Sequence, residues 1–136
     1  RVRLPGGIWD QELLDQLYAG ALVYYHGHSV GGTNPSLLRA IGAGAAVDAF
    51  DVSFNREVLG EAGRYWACPD DVAALVTSAE SDVEAQTARG EESRERAALY
   101  DWDEVASGYE ALARRLALEG PTRHRPSGRR TGKVSL

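Results

Sequence analysis

The sequence lacks the marks of several large classes of protein. Its single cysteine, Cys68, excludes a disulfide within the chain and favours a reducing compartment. No apolar run approaches the roughly 20 residues that a membrane-spanning helix needs, and the N-terminal residues have no apolar stretch of secretory-signal length. No internal repeat occurs. These absences favour a cytoplasmic protein that folds around its own core.

Basic residues are scarce outside the C-terminal segment. That segment, Gly120–Leu136, has five of the 15 basic residues and no Asp or Glu, so the body has 10 basic against 20 acidic residues and a net charge of −10. A body this acidic argues against binding nucleic acid through a broad basic face. Residues 119–136 are predicted to be a disordered basic tail without a specific partner. The sharper hypothesis for the tail is peripheral contact with anionic lipid headgroups at the inner face of a membrane.

Strand patterns alternate with helical patterns through the first half of the chain. Strands are predicted at residues 2–4, 21–25, 45–50 and 64–67. Asp10 and Asn34 are predicted to begin helices, and Gly20 to end the first of them. This alternation predicts an α/β fold, a Rossmann-like parallel sheet flanked by helices on both faces. Since right-handed crossovers place strand-to-helix loops along one edge, the loop after the second strand is predicted to lie where ligands bind.

Only helices are predicted from Pro69 onward, which gives the fold a helical C-terminal segment. Asp70 or Asp71 is expected to cap the first helix, Gly90 to interrupt the polar stretch, and Asp101 to cap the last helix. A chain of 136 residues is one domain in size. Its start without Met leads us to expect that it is a piece of a longer protein.

The loop after the second strand is the segment that carries chemistry. Gly31 and Gly32 let the backbone approach a ligand without a Cβ clash. The amide groups of Ser36, Leu37 and Leu38 are predicted to be free at the positive end of a helix dipole, which is an anion site suited to a pyrophosphate. The side chains predicted to contribute donors or partial charge are those of His26, His28, Ser29, Thr33, Asn34 and Ser36.

Other interpretations of the loop compete with this one. The glycine spacing matches neither the phosphate-binding loop that ends in Gly-Lys-Ser/Thr nor the dinucleotide fingerprint. A glycine-rich turn before a helix is also, more often than not, simply a tight turn. His26 and His28 have no cysteine or carboxylate cluster near them in the sequence, so no metal site is predicted.

The same stretch resembles a known family. Residues 25–38, Tyr-His-Gly-His-Ser-Val-Gly-Gly-Thr-Asn-Pro-Ser-Leu-Leu, are similar to the C-terminal domain of retaining glycosyltransferases of family 4, above all a bacterial rhamnosyltransferase-like branch. The segments Phe54–Val58, Gly63–Trp66 and Pro69–Asp71 fall where the family has its next elements. Tyr100-Asp101-Trp102 looks like the opening of the family's closing helix. The resemblance covers roughly residues 1–118.

The resemblance implies a fold and an activity. The fold is GT-B, of which residues 1–118 would be a partial Rossmann-like donor-binding domain. The activity is metal-independent hexosyl transfer from a nucleoside diphosphate sugar, in polysaccharide biosynthesis, with no cofactor. A sugar or lipid-linked acceptor would bind a second domain, so this chain alone is expected to be inactive.

Two positions depart from the family. The wider family has glutamates where this sequence has Gly31 and Arg39. Because helical side chains lean toward the N-terminus, Arg39 is predicted to reach the diphosphate or ribose. The alternative is an exposed arginine or one that forms a salt bridge on the helix surface. Glu57 is predicted either to bind sugar or ribose hydroxyls or merely to complement a helix dipole.

Two further functions stay open at this point. A stand-alone, non-catalytic α/β binding or assembly module is the main alternative, since Arg39 and the missing half both permit lost activity. A different Rossmann-like enzyme is disfavoured by the glycine spacing and by the absence of an acidic residue in the expected register.

Overall fold

The computed structural model describes residues 2–120, and these fall into two compact units that divide after Tyr100. The first unit contains three strands and five helices. The strands are β1 (Tyr24–His26), β2 (Val47–Phe50) and β3 (Gly63–Trp66). The helices are α1 (Gln11–Ala19), α2 (Pro35–Gly42), α3 (Ser53–Leu59), α4 (Pro69–Ser81) and α5 (Val83–Ala97), with a short 3₁₀ turn at Gly60–Ala62. The second unit contains α6 (Trp102–Glu119).

The three strands form one parallel sheet in the order β1-β2-β3. Tyr24 pairs with Val47, and Val47 in turn pairs with Gly63. Because the strands are parallel, the loops that follow β1, β2 and β3 all leave from the same edge of the sheet. The predicted α/β class is confirmed, and the small open sheet agrees with a partial Rossmann-like fold.

One face of the sheet is apolar and carries the core. Val47 and Ala49 of β2 are fully buried. Both lie on this face because successive strand residues point to opposite faces of a sheet. Helix α2 contributes Leu37 and Ile41, which the helical spacing had placed on its buried side, and α3 contributes Leu59. This packing fixes both helices against the sheet and therefore fixes the loops that lead into them.

The opposite face of the sheet holds a buried ionic cluster. Asp48 of β2 is fully buried and accepts two hydrogen bonds from Arg64 of β3, at 2.9 and 2.8 Å. Arg89 of α5 donates to the same carboxylate at 2.9 Å and to the carbonyl of Val47 at 2.6 Å. Two guanidinium groups thus satisfy one buried carboxylate, and they tie β3 and α5 to the central strand.

The predicted helix starts are confirmed where a side-chain cap exists. Asp10 accepts a hydrogen bond from the amide of Leu13 at 3.1 Å, and Asn34 accepts one from Ser36 at 2.9 Å. In the second unit, Asp101 accepts one from Asp103 at 2.7 Å. Short polar side chains stabilise a helix start because they satisfy amides that the helix itself leaves without a partner.

Two predicted segments have other structures. Residues 2–4 form no strand, and their apolar side chains are 86% (Val2) and 91% (Leu4) exposed, so they bury too little surface to hold a strand on the sheet. The cap of α4 is neither Asp70 nor Asp71, because Cys68 occupies that position. Asp71 instead accepts hydrogen bonds from the amides of Ala67 and Cys68, at 2.9 and 3.0 Å.

Gly90 does not interrupt a helix as predicted, since α5 runs through it. It is buried where α5 crosses the end of α2, and a Cβ at this position would overlap the carbonyl oxygen of Gly44. The glycine is therefore a close-approach position between two helices, and its helix penalty of roughly 1 kcal/mol is offset by that contact.

The predicted basic tail lies outside the described residues from residue 121 onward, and Glu119 is the last residue of α6. Within residues 2–120, no helix combines the length and the apolar character that crossing a membrane requires.

The ionic cluster predicts an unequal response to two similar substitutions. Asp48→Ala leaves two partly buried guanidinium groups without their carboxylate and should lower the free energy of unfolding by about 3 kcal/mol. Asp51→Ala removes the half-exposed partner of Arg56 and should change the free energy of unfolding by less than about 1 kcal/mol. Urea unfolding of both variants at neutral pH measures the difference. Equal losses would contradict the account of Asp48.

Candidate functional site

The candidate site is the loop that connects β1 to α2 at the carboxyl edge of the sheet. Its residues from Gly27 to Thr33 are exposed, and Gly31 has φ +122°, a backbone conformation that favours glycine. Part of the loop borders an open depression of about 520 Å³, lined by Tyr24, Tyr25, Gly27, His28, Ser29 and Val30. The loop thus presents its backbone to solvent where ligands bind in sheets of this kind.

The amides at the start of α2 are occupied, which corrects the predicted anion site. The amide of Ser36 donates to Oδ1 of Asn34 at 2.9 Å. The amides of Leu37 and Leu38 both donate to the carbonyl of Asn34, at 3.0 and 3.1 Å. The prediction that these three groups are free is therefore wrong. The physical reason is that a capping residue takes the very donors that would otherwise meet an anion.

The amides of the loop itself are in a different state. Among residues 2–120, no protein group accepts a hydrogen bond from the amide of Gly31, Gly32 or Thr33. A Cβ at Gly31 or Gly32 would meet nothing within 4 Å, so the space beside this stretch of backbone is open. The donors available to an anion are therefore these loop amides and not those of the helix start.

A chain of hydrogen bonds connects the helix cap to the end of β1. Ser36 Oγ donates to Asn34 Oδ1 at 2.7 Å, since a carboxamide oxygen can only accept. Tyr24 Oη then donates to Ser36 Oγ at 3.2 Å. Having used its one proton, Tyr24 must accept from Nδ1 of His26, which lies 3.3 Å away. The network therefore assigns His26 as the Nδ1–H tautomer, which leaves a lone pair on Nε2.

His26 is buried and His28 covers it. The side chain of His26 is 1% exposed, and Nε2 has no hydrogen-bond partner among the described residues. The ring of His28, which is exposed, stacks on it with centroids 4.8 Å apart and planes 16° apart. Burial, and next the neighbouring His28, lower the pKa of His26 below its ordinary value, so the ring stays neutral.

Asn55 of α3 is a part of the site that the sequence reasoning missed. It is fully buried, and its Nδ2 donates to the carbonyl of His28 at 3.1 Å and to the carbonyl of Phe50 at 2.9 Å. One side chain thereby fastens the loop after β1 to the end of β2. An Asn at an apolar position of a short helix is the only signal that could have indicated this role.

Arg39 does not extend toward the loop. Its Nε donates to Asp15 at 2.6 Å and its Nη1 to Gln11 Oε1 at 2.8 Å, and both partners belong to α1. The hydrogen bond from Arg39 lowers the pKa of Asp15. The alternative of a salt bridge on the helix surface is thus the one found, because α1 brings a carboxylate within reach of the guanidinium.

Glu57 is also separate from the loop residues. Its side chain is exposed on α3 and makes no hydrogen bond within residues 2–120, whereas its backbone carbonyl accepts from Arg96 at 2.5 Å. The charged pair that does lie after β2 is Asp51 and Arg56, whose Nε–Oδ1 distance is 2.5 Å, and Arg56 lies 4.2 Å from the ring centroid of Tyr65. The structure therefore brings together His26, His28, Asn34 and Ser36, and leaves Arg39 and Glu57 in other contacts.

Metal chemistry and known relatives give no further guide to the site. Across the described part of the chain, no three or more His, Cys, Asp or Glu side chains are grouped to hold a metal ion. No family model, no curated protein and no solved structure matches the chain. The site is therefore interpreted from its own geometry, which offers loop amides, a neutral buried imidazole and an exposed one.

The lowered pKa of His26 predicts a pH-dependent stability. In the unfolded chain His26 has its ordinary pKa, so below about pH 6.5 the unfolded state binds more protons than the folded one. The free energy of unfolding should therefore be greatest above that pH and fall between pH 7 and 5.5. Urea unfolding at pH 7.5, 6.5 and 5.5 measures this decline, which His26→Asn should largely remove.

His28→Asn is the matched control, because burial and not His28 is the main cause of the shift. It should keep most of the decline. A decline of the same size in His26→Asn and in the unsubstituted chain would show that another group causes it.

Proposed function

We propose that the chain is the donor-binding part of a retaining, metal-independent glycosyltransferase of the GT-B type, and that its β1–α2 loop binds the diphosphate of a nucleoside diphosphate sugar. The observation that carries the proposal is the set of amides of Gly31, Gly32 and Thr33, which donate to no group within residues 2–120 and lie at the carboxyl edge of a parallel sheet. The likeness of residues 25–38 to the family 4 glycosyltransferases supports the same assignment.

Loop amides suit a diphosphate for an electrostatic reason. Successive N–H groups in a glycine-rich turn form a concave set of donors, and such a set binds anionic oxygens without a metal ion. Helix α2 begins directly after the loop, so the positive end of its dipole lies behind these donors. Charge that develops on the departing diphosphate would be stabilised by the same groups.

Arg39 has a structural role in this proposal. Arg39 holds α2 against α1 and so fixes the direction of the dipole, and it does not touch the donor. The acceptor sugar or lipid-linked acceptor would bind a second domain, so transfer needs more than these residues. We place the reaction at the cytoplasmic side, where nucleotide sugars are available to polysaccharide synthesis.

The second candidate is a non-catalytic α/β binding or assembly module. The occupied amides of Ser36, Leu37 and Leu38 favour it, because a site that has lost its ligand no longer needs free donors at the helix start. The engagement of Arg39 by Asp15 favours it as well. A module of this kind would keep the fold and bind no nucleotide.

Calorimetry on the natural chain that contains these residues separates the two candidates. The probes are UDP, GDP, ADP and dTDP, and their glucose or mannose conjugates, with EDTA present. We expect at least one probe to bind. Gly31→Ala should weaken that binding at least tenfold, about 1.4 kcal/mol, because the φ of +122° is unfavourable for alanine and the loop amides turn away.

Arg39→Ala is the control and should leave the affinity nearly unchanged. Absence of binding by every probe would rule out the glycosyltransferase and favour the module. Binding that Gly31→Ala leaves intact would move the donor site away from the loop.

A further inference from the structure

We propose that Nε2 of His26 is a hydrogen-bond acceptor for a hydroxyl group of the bound nucleotide sugar, so that His26 selects the polyol part of the ligand and not its phosphates. This inference rests on the proposed function. It changes the role expected for His26, from a donor toward the diphosphate to an acceptor from a sugar or ribose.

The tautomer follows from one backbone donor. The amide of Ser36 can only donate, so the oxygen of the Asn34 carboxamide faces it. Each later bond in the chain, through Ser36 Oγ and Tyr24 Oη, then has a fixed direction and ends with Nδ1–H of His26 as a donor. The directions of these hydrogen bonds therefore leave Nε2 without a proton.

A lone pair in this place needs a donor. The side chain of His26 is only 1% exposed, and no described residue donates a hydrogen bond to Nε2. A buried acceptor without a partner loses its hydration and costs about 1–3 kcal/mol. A ligand that supplies the missing donor is one explanation for such a group. Four other side-chain atoms of the described residues share this state, and His26 is singled out by its place at the end of β1, directly before the loop.

The chemistry of the ligand decides which part of it can fill the role. The oxygens of a diphosphate are unprotonated in its fully ionised form, so they cannot donate and would be repelled by the lone pair. Hydroxyl groups of ribose or of the transferred sugar donate readily. The loop amides of Gly31, Gly32 and Thr33 therefore take the phosphates, and His26 takes a hydroxyl.

His28 is the exposed neighbour of this acceptor. Its ring is exposed, is stacked on His26 at 4.8 Å, and takes part in no side-chain hydrogen bond within residues 2–120. It can therefore leave the stack at little cost, whereas the His28 backbone stays fixed through its carbonyl, which Asn55 holds at 3.1 Å. Since the lone pair of Nε2 lies in the plane of the His26 ring, a hydroxyl group would approach it at the ring edge, beside the stack.

Two substitutions of His26 separate the acceptor from the donor. Asn places its amide group near the position of Nδ1, so His26→Asn keeps the bond to Tyr24 and removes the acceptor. Gln reaches the position of Nε2, so His26→Gln restores an acceptor oxygen there. With the tightest-binding nucleotide sugar as probe, we expect His26→Asn to weaken binding about tenfold and His26→Gln to weaken it less.

Nitrogen NMR of the natural chain with ¹⁵N-labelled histidine tests the geometry directly, and the spectrum of His26→Asn assigns the signals. We expect an unprotonated Nε2 without a hydrogen bond in the free protein, and a shift toward the hydrogen-bonded value when the nucleotide sugar saturates the site. Deoxy analogues of the same nucleotide sugar, each lacking one sugar or ribose hydroxyl, identify the group. The analogue that lacks the hydroxyl bound by His26 should bind about tenfold more weakly and leave the Nε2 signal unshifted.

The possible results distinguish a failure of this inference from a failure of the proposed function. A protonated Nε2 in the free protein, or an Nε2 signal that already reports a hydrogen bond to water, overturns the inference. An unchanged Nε2 signal at saturation, or undiminished affinity in His26→Asn, overturns it and leaves the proposed function standing. Failure of every nucleotide and nucleotide sugar to bind overturns both.

Discussion

The carboxamide of Asn34 is the interaction on which the candidate site depends. The carboxamide oxygen accepts from both the amide and the hydroxyl of Ser36, and the backbone carbonyl of Asn34 accepts from the amides of Leu37 and Leu38. One residue thereby ends the loop, begins the helix and sets the direction of every hydrogen bond back to His26. It also removes three donors from the site, so the glycine loop must supply the donors that an anion would meet.

The sheet turns this local arrangement into a fixed site. Asp48 holds Arg64 and Arg89 on one face, and the apolar core holds α2 and α3 on the other. Asn55 then connects the loop after β1 to the end of β2. The exposed residues of the loop are thus carried by a buried frame, which is what a binding loop needs if it is to stay ordered without its ligand.

Local patterns were enough to predict the parallel α/β fold and the caps at Asp10, Asn34 and Asp101, because strand runs and short polar caps act over a few residues. Contacts between distant residues were not predictable in this way. Arg89 meets Asp48 across 41 positions, and Arg39 meets Asp15 across 24. The prediction that the amides of Ser36, Leu37 and Leu38 are free could have been avoided from the sequence. Asn34 was already predicted to begin the helix, and a capping residue accepts hydrogen bonds from amides at the helix start.

Amide hydrogen exchange across the loop and the start of α2 tests the central claim most directly. In the chain without ligand, the account predicts that the amide of Ser36 exchanges more slowly than those of Gly31, Gly32 and Thr33, and that Asn34→Ala removes this protection. Exchange of Ser36 as fast as that of the loop glycines in the unsubstituted chain would contradict it. The helix start would then be open to an anion after all.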